Sequence, residues 1–187
     1  ELIAALKPTA VIPLMWETWE FRESDFDLAA CKKKGILVLG TVGNREPCNM
    51  IPYCGFIALK LLFEIGFDGR PILVLGNAPY PGGSIVAQLR GAGMDVVWFS
   101  AQQDSDFNYK DLNSYFLTHG HQFGNIILAE HVLPDILLGK SGYLDIETIK
   151  KTNPAVRIGI ICGNVAAEEI RESGLSYAPD HISPFGF

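Results

Sequence analysis

Several absences narrow what this chain can be. It has no apolar run long enough to span a bilayer and no signal-peptide pattern, so no membrane partner is expected. Charged residues make up only 19%, and no basic cluster exceeds Lys32-Lys33-Lys34. With 21 acids against 15 Lys and Arg, the net charge of −6 argues against a phosphate-backbone binder, and no nucleic-acid partner is expected. The four cysteines (Cys31, Cys48, Cys54, Cys162) form no C-x-x-C pair, and each lies in or beside an apolar segment. That usage suits reduced thiols and a cytoplasmic location. His119-Gly120-His121 has no third ligand in its pattern, so no metal site is expected. There is no internal repeat and no low-complexity stretch. The first residue is Glu1 rather than Met, and residues before it are expected.

What is present is a globular composition, 48% hydrophobic over 187 residues, enough for a sizeable core. Apolar runs at 10–15, 36–39, 71–75, 95–99, 125–129 and 157–162 read as strands. Most show no alternation, as in strands buried on both faces. Pro13 inside the first run favours an edge position or a bulge. Helices are expected between them. One covers 25–34, with Ser24 as cap, lysines last and Gly35 closing it. A longer one covers 52–65, with Pro52 at its first position and an apolar face of Phe56, Leu59, Leu62, Phe63 and Ile65. Others cover 84–89, a stretch opening at Asn108, 144–151 and 165–173. This alternation predicts an α/β protein: a Rossmann-like parallel sheet with helices on both faces. In such sheets ligands bind outside the carboxyl ends of the strands, so function is sought in those loops.

The stretch 71–100 is the most informative. Strand, glycine turn, helix and strand form the first half of a nucleotide-binding βαβ unit. The usual G-x-G-x-x-G turn is altered, because Gly76 and Gly83 stand seven residues apart rather than five. The middle glycine has become Ala78 or been displaced. Ser100 stands where an acid would bind an adenosine ribose, and no arginine is close enough to hold a 2′-phosphate. The expected cofactor-binding residues are Gly76, Asn77, Gly82, Gly83, Ser84, Ser100 and Asn164. Ser84 serves either as a phosphate donor or as a helix cap.

His131, beside Glu130 at a strand end, is the candidate acid/base, because histidine titrates near neutrality. A packed loop histidine is the plainer alternative. Arg45 can hold a carboxylate or phosphate, or pair with Glu46 or Glu17. Glu17 and Asn49 are candidate substrate contacts, although Asn49 can equally help start a helix.

The order of segments resembles the D-2-hydroxyacid dehydrogenase superfamily over about 130 of the 187 residues. CKKKGILVLGT (31–41) is similar to the family's step from lobe strand to active-site loop. FIALKLLFE (56–64) looks like its linking helix, and VLGNAPYPGGSIVAQLRGAGMDV (74–96) resembles its glycine turn, helix and second strand. NIILAEHVLP (125–134) falls where the family has a strand and a proline-containing cofactor loop, and LDIETIKKTNPAVRIGIICGNV resembles the stretch leading to its later strand end.

The resemblance implies part of a flavodoxin-like substrate lobe with the linking helix over 1–67, then a Rossmann-like domain over 68–187. It also implies NAD or NADP as cofactor and oxidoreduction of a small oxo or hydroxy acid, with a homodimer as one possible assembly. The family's substrate-binding arginine has no counterpart near Cys162-Gly163-Asn164. Of its later glutamate–histidine pair only Asp180-His181 precedes the end of the sequence. The alternative is a non-catalytic Rossmann-like protein that binds a ligand or partner through a degenerate nucleotide site. A transferase using S-adenosylmethionine is disfavoured by Ser100, where an acid is expected.

Overall fold

The computed structural model describes residues 2–17, 26–43, 45 and 49–182, without the side chains of 15–17 and 41. Trp19, Ser24, Glu46 and Cys48 therefore lie outside the described residues, as do the side chains of Trp16 and Glu17. The chain divides into two compact units, Glu1–Met50 and Ile51–Phe187.

In the first unit, α1 (Leu2–Ala5) precedes β1 (Val11–Glu17), α2 (Leu28–Lys34) and β2 (Leu37–Thr41). The two strands pair in parallel, with Pro13 opposite Leu39. Their register shifts between Pro13 and Glu17, the irregularity expected of a proline that has no N–H to donate. Helix α2 starts later than the sequence suggested. Its cap is Asp27, whose Oδ1 accepts from the Ala30 N–H at 2.8 Å. Gly35 closes the helix at φ 74°, and the three lysines occupy the last turn, where cations complement the dipole.

In the second unit, α3 (Cys54–Ile65) leads to β3 (Ile72–Gly76), α4 (Gly82–Gly91), β4 (Val96–Ser100) and β5 (Phe107–Asn108). Then come α5 (Leu112–His119), β6 (Asn125–Ala129), α6 (Ile146–Thr152), β7 (Arg157–Cys162), α7 (Ala167–Ser173) and β8 (Ser176–Ala178). Every strand pairing is parallel, in the order β5-β4-β3-β6-β7-β8. Counted from β3, this is 3-2-1-4-5-6, the order of the dinucleotide-binding sheet. The direction of travel reverses between β3 and β6. The short strands β5 and β8 carry no apolar run that marks them in the sequence. Two or three residues at a sheet edge are too few to show a period.

Alternation along the buried strands serves two cores. Leu73, Leu75, Ile126 and Leu128 face one core with Leu112, Ile149 and Ile170 from α5, α6 and α7. Ile72, Val74, Ile127 and Ala129 face the other with Ala58, Leu62, Ile85 and Leu89 from α3 and α4. Helices thus cover both faces, as expected.

Helix α3 packs on this sheet and falls within the second unit. Its buried side differs from the expected one. Cys54, Gly55, Ala58, Leu61 and Leu62 are buried, whereas Phe56 and Phe63 are exposed. The helix is apolar nearly all round, so its period could not tell which side meets the sheet.

Candidate functional site

The reversal between β3 and β6 sets the site. Gly76 lies opposite Ala129 in register, so the chain leaves both strands side by side, into residues 77–81 and 130–135. The turn after β3 is drawn tight. A Cβ on Gly82 would lie 2.4 Å from the Gly76 carbonyl carbon, and one on Gly76 would lie 2.7 Å from the Ala129 oxygen. Gly82, and not Gly83 as the spacing suggested, is therefore the glycine that lets helix and strand meet. Gly83 faces the Trp98 ring, and the Trp98 Nε1–H donates to the Gly76 oxygen at 2.8 Å. The first two residues of α4 thus carry no side chain of their own, the first packed on the Gly76 backbone and the second on Trp98.

The polar groups of the turn are engaged with one another. The Gly83 N–H donates to the Asn77 carbonyl at 3.1 Å. Ser84 is a first-turn residue rather than the cap, and its Oγ–H donates to the Pro81 carbonyl at 2.8 Å. The Ala78 N–H (3.2 Å) and the buried Ser100 hydroxyl both donate to Gln102 Oε1. Two donors, one from the turn after β3 and one from the last residue of β4, therefore converge on one oxygen.

Asn77, 2% exposed, joins the two turns. Its Nδ2 donates to the Tyr80 carbonyl, and its Oδ1 accepts from the His131 backbone N–H at 3.2 Å. The same Oδ1 lies 3.1 Å from His131 Nδ1. The Tyr80 ring stands edge-on to the imidazole, with centroids 5.5 Å apart.

Glu130 is 1% exposed. Its Oε2 accepts from the Tyr109 hydroxyl at 2.9 Å, and its Oε1 from the N–H groups of Val132 (2.9 Å) and Leu133 (3.1 Å). Those bonds tie down the turn in which His131 stands. Burial and the Glu130 charge together push the Cys162 thiol up to about 12. Burial likewise raises the Tyr109 hydroxyl and the Cys54 thiol. Asn164 supports the same region, with its Nδ2 donating to the Pro134 carbonyl at 2.8 Å.

Arg45, Asn49 and Glu17 belong to the first unit. Arg45 is exposed, Asn49 is half-buried, and Glu17 ends β1 opposite Thr41. Among the described residues of the second unit, the structure brings together Gly76, Asn77, Gly82, Gly83, Ser84, Ser100, Glu130 and His131 around one switch point. Sequence reasoning missed Gln102, Tyr109 and Trp98. Trp98 carries no signal beyond its place in an apolar run. Gln102, two residues past Ser100, was the findable one.

No protein-family model matches the chain, and no curated protein matches it by sequence. Solved structures do. A dipicolinate synthase chain from Bacillus halodurans superposes with a TM-score of 0.59 at 12% identity, over 90% of this chain and 57% of that one. A 2-hydroxyacid dehydrogenase from Ketogulonicigenium vulgare gives 0.52 at 13% identity, over 89% and 58%. D-lactate dehydrogenase from Escherichia coli gives 0.54 at 15% identity, over 89% and 58%.

Over the residues compared, this chain shares the fold of those solved structures. It spans a little under three fifths of each of those chains. Among the described residues, no helix is long and apolar enough to cross a membrane.

The site fits a nucleotide in two respects. The first two residues of α4 are glycines, so they add no side chain of their own between a phosphate and the N–H groups of the helix start. The Ala78 N–H and Ser100 O–H already converge on an oxygen, and a ligand oxygen can take the place of Gln102 Oε1.

Proposed function

We propose that this chain is an NAD- or NADP-dependent oxidoreductase of the 2-hydroxyacid dehydrogenase kind, acting on a small oxo or hydroxy acid. One observation carries the reading. A sheet in the order 3-2-1-4-5-6 has, at its switch point, a glycine-bearing helix start beside a histidine. The backbone of Gly82 and Gly83 and the first turn around Ser84 hold the diphosphate. Ser100, Gln102 and the Ala78 N–H hold a ribose. When bound, the nicotinamide supplies or accepts the hydride. His131 moves the proton at the substrate oxygen, while Glu130 keeps its turn in place. Asn164 shapes the facing loop through Pro134. In the first unit, taken by itself, Arg45 is the candidate cation for a carboxylate, and Asn49 and Glu17 are candidate polar contacts.

A second reading, a ligand-binding protein without hydride chemistry, is favoured by the engaged state of the glycine-turn donors and of Glu130. Thermal denaturation with NADH and NADPH separates the two. A cofactor present at a hundred times its Kd stabilises by about 2.7 kcal/mol. For a chain of this size that raises Tm by about 5–10 °C. Such a shift, together with oxidation of the reduced cofactor by a 2-oxo acid, supports the enzyme. A shift without turnover supports the binding protein, and no shift with either cofactor overturns both as nucleotide readings.

A further inference from the structure

We infer that Tyr109 is a positioning residue: its buried hydroxyl latches the Glu130 carboxylate to the stretch after β5, and so holds the turn on which His131 stands. The role in turnover rests on His131 being the proton carrier of the proposed reaction, whereas the latch itself follows from the contacts.

The two partners come from separate parts of the sheet. Tyr109 follows β5 and Glu130 follows β6, with β4 and β3 lying between those strands. Both residues are 1% exposed. Their 2.9 Å bond, from the Tyr109 hydroxyl to Glu130 Oε2, therefore ties a segment at the edge of the sheet to a turn near its centre.

One side of this bond is held without it. The Tyr109 ring belongs to the core and lies 5.4 Å from the Tyr143 ring. The chain leading to it is closed by its own bonds. The Ser105 Oγ–H is shared between the Gln102 and Phe107 carbonyls, at 3.0 and 2.9 Å, and Asn108 Nδ2 donates to the Ala101 carbonyl at 3.4 Å. Asn108 Oδ1 accepts from the Lys110 N–H at 3.1 Å, capping the short helical turn that opens with Tyr109.

The other side depends on it. Val132 is exposed and Leu133 half-buried, yet both N–H groups donate to Glu130 Oε1, at 2.9 and 3.1 Å. The carboxylate serves both amides only while its side chain stays folded inward. A buried carboxylate is costly unless its oxygens have donors, and among the described residues Tyr109 is the donor to Oε2. Burial, aided by the Glu130 charge, raises the Tyr109 hydroxyl above its ordinary range, so it keeps its proton and donates. Without that hydroxyl the carboxylate gains by turning out to water, and the two amides lose their acceptor. His131 stands between Glu130 and Val132 in the chain, so a loosened turn displaces the imidazole. Tyr109 acts through Glu130 and takes no part in the proton transfer.

Amide hydrogen exchange, read by NMR in the intact chain, tests the latch. Tyr109→Phe keeps the ring and removes the hydroxyl. Its Val132 and Leu133 amides should exchange about tenfold faster, the size of one hydrogen bond to a charged group, with the β3 amides unchanged. Tyr143→Phe is the control, because the Tyr143 hydroxyl donates to Asp135 and not to Glu130. It should leave both amides as in the wild type. Unchanged exchange in Tyr109→Phe overturns the latch, and so does equal acceleration in Tyr143→Phe. Should Tyr109→Phe fail to fold, the wild-type protein still decides. Its Tyr109 hydroxyl proton should exchange slowly enough to be seen in proton NMR, and exchange with water too fast to be seen overturns the latch.

In turnover, Tyr109→Phe should lower kcat about tenfold with the Kd of the reduced cofactor little changed, because the stretch from Ser100 to Asn108 keeps its own bonds. A kcat equal to the wild type overturns the positioning role, as does an equal loss of cofactor affinity, which marks general loosening. If the wild-type protein turns over no 2-oxo acid, the oxidoreductase reading fails while the exchange rates still decide the latch.

Discussion

Single buried or half-buried side chains decide much of what this site can do. Glu130 follows a strand end, where a catalytic acid would stand, yet its two oxygens bond with a phenol and two backbone amides. A carboxylate with that many donors is a fixture of the fold. Asp68 does a comparable job where the chain enters the sheet. The Arg70 guanidinium beside it, aided by Arg157, holds its carboxyl well down, at about 2 against an ordinary 3.8. In the pH range between those two values the unfolded chain binds a proton that the folded chain refuses. Stability from Asp68 is therefore complete above about pH 4 and is lost as the pH falls toward about 2. Denaturant midpoints measured across that range should fall on acidification, and Asp68→Asn should flatten the fall. The pair is partly exposed and so contributes only modestly near neutrality.

At the scale of elements, the turn joining β3 to α4 carries the most information. Two glycines meet backbone to backbone there, and a methyl group on either would overlap main-chain atoms that cannot move independently. Gly82→Ala should destabilise the protein by about 1–3 kcal/mol, read as a lower denaturant midpoint with helix content retained. Gly91, the last residue of the same helix, has open space around its Cβ position. Gly91→Ala should be neutral or stabilise by up to about 1 kcal/mol. If the two substitutions behave alike, close approach is not what the turn requires. α3 also belongs at this scale, because the residues it buries were settled by its sheet and not by its period.

For the whole molecule, the parallel sheet of the second unit is the stable frame. β3 and β6 are each paired on both sides, with five buried residues apiece. Their amides should exchange with deuterium most slowly, ahead of the edge strands β5 and β8 and of the loops at the switch point. Exchange in β3 as fast as in β8 would contradict this ordering of local stability. Slow strands beneath faster loops are what a ligand-binding crevice needs, since the loops can then adjust over a fixed floor.

The sequence by itself determined where the main strands run, because uninterrupted apolar runs report burial on both faces locally. It also determined that the sheet is parallel, because helices separate those runs. Only the tertiary structure decided that Gly82 closes the turn, that Gln102 gathers two donors, and that Asn77 meets His131 across 54 residues of chain. The physical reason lies in range. Periodicity reports the environment of neighbours along the chain. Contacts at a switch point depend on which strands lie side by side, which no local pattern encodes.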